Sequence, residues 1–175
     1  MKRTEIVLAC LLIATPAFAQ SVGEKTGVNS ALGLAPTTAD FVKEIAISDM
    51  FEIASSQLAQ EKGTAAEKTF ATMMVVDHTK TSNELKSLVS SGKVDAKIPA
   101  GLDEVHQSKL NKLTSANGQD FALAFQTDQV NAHKNAVHLF ERYARSGENA
   151  ELKSWAGQTL PALKHHLDMA QNLKK

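Results

Sequence analysis

The sequence has no excess of charge of either sign, and this limits the partners that it can bind. Its 19 Lys and Arg residues are balanced by 19 Asp and Glu residues, which gives a formal net charge of +0 and a pI of about 7.0. A protein that binds DNA or RNA normally carries a basic surface that neutralises phosphates. We therefore expect no nucleic-acid partner.

Cysteine, aromatic residues, glycine and proline are also scarce. The 175 residues include one Cys, nine Gly and four Pro, and aromatic residues make up 5%. The sequence contains no Gly-rich phosphate loop and no Gly-x-Ser-x-Gly motif, so nucleotide binding and serine-hydrolase chemistry have no support. Because Ala, Leu, Lys, Glu and Gln are abundant and lose little rotamer freedom in a helix, we expect an all-α protein.

The first 19 residues have the pattern of a secretory signal peptide. A basic start and an apolar run over residues 6–14 precede Ala17 and Ala19, the small residues expected before a cleavage site. The run is shorter than the roughly 20 residues that span a bilayer, so we expect cleavage before Gln20 and no membrane anchor. Cys10 would be removed with the peptide, which leaves a mature chain without disulfides. Lipidation of Cys10 is disfavoured, because the residues before it fit a lipoprotein signal poorly.

Beyond this segment, apolar residues recur at helical spacing in four long stretches and one short one. A flexible leader is expected over residues 20–37, where Ser, Gly, Asn and Thr are mixed without periodicity. A domain over residues 38–173 follows, and Pro161 is expected to bend its last helix. The breaks between its helices are at Gly63, Gly92, Asn117-Gly118 and Gly147. This pattern predicts an up-and-down four-helix bundle, with one short extra helix between the second and third long helices.

Ionisable residues interrupt the apolar stripe of every long helix. Each lies three, four, seven or eight residues from an apolar position of its own helix, which places it on or near the inward face. They are Glu52 in the first long helix, Asp77 and His78 in the second, His133 in the third and His166 in the fourth. A buried carboxylate or imidazole is costly unless it is paired, hydrogen-bonded or bound to a metal, so this set needs an explanation.

Three explanations stay open on the sequence alone. The residues could form hydrogen bonds that fix the register of the helices. They could hold a metal ion, since inward carboxylates and imidazoles build the metal sites of helical bundles. They could also form a pH-sensitive joint, because histidine titrates near neutral pH. The chain has no Glu-x-x-His motif, so the metal explanation favours a single Zn, Cu or Ni ion over a di-iron centre.

Four blocks of the sequence are similar to those of a known family. They are Phe41-Val42, the run from Phe70 to Lys80 with Asp77-His78-Thr79 inside it, the run from Gly118 to Glu141 around His133, and the run from Leu160-Pro161 to Ala170. On these blocks, residues 38–173 resemble the domain-of-unknown-function 4142 family. The resemblance implies a ferritin-like helical bundle, exported to the periplasm or associated with the outer membrane, without an established activity. It marks the same five polar residues: Glu52, Asp77, His78, His133 and His166.

One position departs from the pattern of that family. Relatives often carry an acid directly before the histidine of the third long helix, where this chain has Ala132. If that acid orients the imidazole, the resemblance implies a weaker or differently arranged site here.

These observations favour a non-enzymatic exported protein that acts in the periplasm or envelope as a binding or stress-related module. Its partner would be an envelope protein or a small ligand, and no transmembrane segment is expected in the mature chain. The alternative is a ferritin-like protein that binds a divalent transition metal through candidate ligands among the same five polar residues. A metal site predicts that His78, His133 and His166 converge with their nitrogens a few Å apart. A structural role predicts that they are dispersed or that each is satisfied by a neighbour.

Overall fold

The computed structural model describes residues 21–173, and this part of the chain contains seven helices and no strand. The predicted signal peptide therefore lies outside the described residues. The all-α prediction is confirmed. The helices are α1 (Val22–Lys25), α2 (Val28–Ala31), α3 (Thr38–Lys62), α4 (Ala65–Ser90), α5 (Glu104–Ser115), α6 (Gly118–Ser146) and α7 (Ala150–Asn172).

The long helices begin at polar caps and end at the breaks that the sequence predicts. The Thr37 side chain accepts a hydrogen bond from the backbone of Asp40 at the start of α3, and α3 ends before Gly63. At the start of α4, Thr64 and Glu67 form a capping box, in which each side chain accepts from the backbone of the other. Such caps satisfy backbone N–H groups that have no partner within the helix.

The four long helices pack in antiparallel pairs. Between α3 and α4, Gln60 contacts Thr72 while the earlier Asp49 contacts the later Ser82. The same reversed order holds between α6 and α7, where Gln126 bonds to the carbonyl of Ala170 and Glu141 pairs with Lys164. The pairs α3 with α6 and α4 with α7 are also in contact. Each long helix therefore presents one face to a shared interior.

The interior consists of two apolar clusters separated by a polar layer. One cluster surrounds Phe41, Tyr143 and Trp155, and the other surrounds Phe70 and Phe125. The polar layer is formed by eight buried residues: Asp49, Glu52, Ser55, Ser56, His78, Gln129, His133 and His166. Because the apolar clusters cover the layer on two sides, its charged and polar groups are held away from bulk water.

The segment predicted as a flexible leader contains two short helices in its described part. Glu24 of α1 forms an ion pair with Arg142 of α6, with 2.6 Å between Oε1 and Nη2. Arg142 also donates to the carbonyl of Leu34, and Arg145 donates to that of Gly33. The backbone N–H of Ser21 donates to the Asp40 carboxylate. These contacts hold residues 21–34 against the long helices. The low apolar periodicity of this segment gave no sign of such contacts.

Two further sequence features are seen in the structure. Pro161 lies inside α7, which continues to Asn172, while the bend expected there stays a prediction. None of the helices within residues 21–173 combines the length and the apolar character needed to cross a membrane.

Candidate metal centre

Each long helix places at least one ionisable side chain in the polar layer because that residue shares a face with a buried apolar residue. His78 follows the buried Met74 by four positions on α4, and His166 precedes the buried Ala170 by four on α7. Residues four apart lie on the same side of a helix. Glu52 on α3 and His133 on α6 are fully buried by the same periodicity. The inward positions predicted for these four residues are observed.

The three histidines form a compact triangle. One nitrogen from each of His78, His133 and His166 lies within 4.8 Å of the other two. The ring centroids are 5.5 to 5.6 Å apart in all three pairs. All three residues are at most 3% exposed. The histidines therefore converge, as expected for a metal site.

The outer nitrogen of each histidine has a hydrogen-bond partner on the far side of its ring. Nδ1 of His78 lies 2.8 Å from Oδ1 of Asp49. Nδ1 of His133 lies 2.9 Å from the backbone carbonyl oxygen of Gln129. Nε2 of His166 lies 2.9 Å from Oδ2 of Asp77. Carboxylates and carbonyls in this position orient histidine ligands and fix their tautomers in metal sites.

The inner nitrogens have no hydrogen-bond partner among residues 21–173. They are Nε2 of His78, Nε2 of His133 and Nδ1 of His166, and each is buried. An unpaired buried polar atom costs about 1–3 kcal/mol. The inner side of the triangle therefore lacks the regular hydrogen bonds that its outer side has.

Glu52 supplies a carboxylate to the same point. Its Oε2 lies 2.9 Å from Nε2 of His78 and 3.3 Å from Nε2 of His133. Oε2 is therefore at ion-pair distance from two of the rings, while Oε1 has no hydrogen-bond partner among the described residues. Three imidazole nitrogens and one carboxylate therefore converge in a fully buried space.

Charges within the cluster shift its pKa values in opposite directions. Burial alone would raise the pKa of Glu52, but the rings of His133 and His78 outweigh burial and lower this pKa to about 2. Burial would lower the pKa of His78, but Glu52 and Asp49 outweigh it and raise this pKa to about 10. Burial and the charge of His78 lower the pKa of His166 to about 4, against the hydrogen bond to Asp77. The metal-free cluster thus holds a His78 cation between two carboxylates.

Two of the carboxylates act outside the cluster. Asp77, a predicted site residue, has a side chain that is 40% exposed and touches the cluster only through the outer nitrogen of His166. Asp49 is buried and accepts hydrogen bonds from Thr81 and Ser82 besides its contact with His78. Both carboxylates are placed to orient histidines.

Sequence reasoning missed the part played by Gln129. It lies four residues before His133 and four after the buried Phe125, so it shares their inward stripe. This spacing is the sequence feature that could have identified Gln129 as a buried residue. An uncharged amide within an apolar stripe is a weaker sign of a functional site than a histidine. Burial of an amide without hydrogen-bond partners is nevertheless costly.

A cavity of about 120 Å³ lies beside the cluster, on the outer side of the ring of His78. Asp49, Thr81, Ala132 and Leu163 are among its lining residues. Ala132 is the position where the family resemblance implies an acid. The lining residues come from α3, α4, α5, α6 and α7.

The fold and the cluster together define an all-helical protein with three histidines and one glutamate gathered in its interior. The chain belongs to the family described as Domain of unknown function (DUF4142), whose sequence model matches residues 23–173. The resemblance stated from the sequence is confirmed, and the match includes α2 and all of α1 except Val22. No curated protein and no solved structure matches the chain.

Proposed function

We propose that this protein is a metal-binding helical bundle that holds one divalent transition-metal ion through His78, His133, His166 and Glu52. The observation that carries the proposal is the convergence of three imidazole nitrogens, none with a regular hydrogen bond, on one buried carboxylate. Imidazole and carboxylate are common ligands of divalent transition metals in bundle interiors. Helices α4 and α6 both run antiparallel to α3, so they are parallel to each other, and the predicted up-and-down order is wrong. The resulting up-down-down-up order supports a ferritin-like arrangement with one crossover connection around this ion.

The pattern of hydrogen bonds favours a metal over a purely structural role. A set that only fixed helix register would satisfy each histidine through its neighbours. Here the neighbours give a hydrogen bond to one nitrogen of each ring, and the inner nitrogens have only the single carboxylate of Glu52, which lies 2.9 Å from His78 and 3.3 Å from His133. Nδ1 of His166 has no partner among the described residues. The protein that the sequence predicts to be a binding module would on this account bind a metal ion. The arrangement of the site is explained without a catalytic role.

The donor set favours a single ion of the zinc, copper or nickel type. Three nitrogens and one oxygen suit a single ion with four protein ligands better than a di-iron centre, which uses several bridging carboxylates. Metal–nitrogen bonds of about 2.0–2.1 Å place neighbouring ligand atoms roughly 3–3.5 Å apart. The present separation of up to 4.8 Å implies that the rings move inward by about one ångström on binding.

The proposal is tested by titrating the dialysed, metal-free protein with zinc and with copper. We expect one ion per chain in the unaltered protein and none in a variant with His78, His133 and His166 all changed to Ala. The matched control is His138→Ala, because His138 is exposed and bonds only to Ser30 in the described part of the chain. Equal binding by the triple variant would refute the site, and so would loss of binding in the control.

We also propose that the protein is exported to the periplasm and acts there or at the envelope. The basic start, the short apolar run and the Ala17 and Ala19 pair support this address. Fractionation of the native cells followed by N-terminal sequencing tests it. The expected mature chain begins at Gln20 in the periplasmic or envelope fraction, and a full-length chain in the cytoplasm would contradict export.

A further inference from the structure

Buried polar side chains continue one helical turn beyond the four proposed ligands. Ser56 follows Glu52 by four residues on α3, and Gln129 precedes His133 by four on α6. Because α3 and α6 run in opposite directions, both residues lie on the same side of the cluster. Ser55, which contacts Gln129, belongs to the same group, and all three residues are 0% exposed.

The hydrogen bonds of this group leave two atoms without partners. Nε2 of Gln129 donates to the hydroxyl oxygen of Ser55 at 3.1 Å, and that hydroxyl donates to the backbone carbonyl of Glu52 at 3.2 Å. Oε1 of Gln129 and the hydroxyl of Ser56 have no partner among residues 21–173. Both atoms are fully buried, where polar groups are normally hydrogen-bonded to protein or to ordered water.

The chemistry of these atoms selects the kind of ligand that fits. Oε1 of Gln129 only accepts hydrogen bonds, and the carboxylate of Glu52 repels anions. A small molecule here must therefore donate hydrogen bonds and carry no negative charge. Water meets both conditions and can also bind a metal ion through its own oxygen.

We infer that the bound metal carries one exchangeable water molecule on the Ser56 and Gln129 side, in addition to its four protein ligands. Gln129 accepts a hydrogen bond from this water, and Ser56 completes its surroundings. The inference rests on the proposed metal site and makes it an open site, because a position occupied by water is available to other small ligands. Gln129 and Ser56 are positioning residues, and Ser55 holds Gln129 in place.

This position is distinct from the cavity beside the ring of His78. The residues that line the cavity include Asp49 and His78 but neither Ser56 nor Gln129. The cavity therefore borders the outer side of the cluster, while the proposed water lies on the side of the ion that faces Ser56 and Gln129.

The test is electron paramagnetic resonance of the copper(II)-loaded protein in water enriched in oxygen-17. A water bound to copper broadens the copper lines through its oxygen-17 nucleus. We expect broadening in the unaltered protein, loss of broadening in Gln129→Leu and reduced broadening in Ser56→Ala. Gln158→Leu is the matched control, because Gln158 is exposed on α7 and should keep the full broadening.

Metal content is measured on every sample, so that the two proposals fail separately. Absence of copper from the unaltered protein would overturn the metal site itself. One copper per chain without broadening would overturn the water and leave the metal site in place. Equal broadening in the unaltered protein, Gln129→Leu and Ser56→Ala would overturn the assigned positions. Ser56→Ala removes a single oxygen atom and should fold normally. If Gln129→Leu does not fold, the line broadening of Ser56→Ala tests the inference.

Discussion

At the scale of single residues, each cluster histidine is oriented by the group that its outer nitrogen contacts. Asp49 holds His78, the carbonyl of Gln129 holds His133, and Asp77 holds His166. A proton shared on the outer side leaves the inner nitrogen available for a metal. The supporting acceptors should therefore affect metal affinity although none of them touches the ion.

Asp49→Asn should weaken zinc binding about 10–100-fold, because loss of the carboxylate charge makes His78 a poorer ligand and orients it less firmly. The dissociation constants are measured by competition with a chelator of known affinity. Asp95→Asn serves as the control, since Asp95 is exposed in the connection between α4 and α5. Equal constants for Asp49→Asn and the unaltered protein would contradict the orienting role.

The pKa of His166 predicts how acid affects the metal-free protein. This pKa is lowered from 6.5 to about 4 in the folded chain, so below pH 6.5 the unfolded chain takes up a proton that the folded chain does not. The contribution of His166 is present above pH 6.5 and is lost as the pH falls toward 4. Glu52 contributes no change between pH 6.5 and 4.5, because its shift acts below its ordinary pKa of 4.5. His78 likewise contributes none there, since its shift acts above 6.5.

Urea unfolding from pH 7 to pH 4.5 measures this loss. We expect the free energy of unfolding to fall by on the order of 2 kcal/mol more in the unaltered protein than in His166→Gln. Parallel pH profiles for the two proteins would show that His166 is not held neutral in the fold.

At the scale of helices, local sequence signals predict where elements begin and end but not how they pair. The breaks at Gly63 and Gly147 follow the ends of α3 and α6, because caps and helix ends depend on neighbouring residues. The short helix expected from Leu102 to Leu113 begins and ends two residues later in the structure, as α5 at Glu104–Ser115. Helices α1 and α2 were not predicted, because their segment is held in place by contacts with α6 that its own sequence does not contain.

The same limit explains which site residues could be predicted. Glu52, His78, His133 and His166 lie on clear apolar stripes, so their inward positions follow from periodicity. Asp77 was placed near the core by its spacing from Met73, but Met73 is itself only partly buried. The pairing of Asp49 with His78 depends on the register between α3 and α4, which the pattern of either helix alone does not contain.

Pro161→Ala tests whether the proline within α7 positions a ligand. Proline removes one backbone hydrogen bond and bends a helix, and His166 lies five residues further along the same helix. We expect the substitution to change zinc affinity, because it alters the path of α7 toward the cluster. Zinc affinity and melting temperature are measured together, and identical values for both proteins would show that the proline is incidental to the site.

At the scale of the whole molecule, one ion would link all four long helices. Its ligands come from α3, α4, α6 and α7, so binding should stabilise the folded chain as a unit. Free metal at 100 times its dissociation constant stabilises a protein by about 2.7 kcal/mol. We expect zinc to raise the melting temperature and a chelator to reverse the change. His138→Ala should respond in the same way, whereas a response in the triple histidine variant would contradict the linkage.

The proposed metal site lies in the part of the chain that matches the model of a family of unknown function. The matched region, residues 23–173, contains all four proposed ligands and the residues that orient them. The polar layer separates two apolar clusters that would otherwise form one continuous core. Polar groups buried in this way are costly unless they are paired or bound to an ion, and the proposed metal would supply a partner for those that lack one.

The most direct test of a metal held between the four long helices is elemental analysis of the protein purified from its native cells without a metal-affinity step. The same measurement is made on the variant in which His78, His133 and His166 are replaced by Ala. The account predicts close to one transition-metal ion per chain in the native protein and none in the variant. Native protein without metal, or equal metal in both proteins, would contradict it.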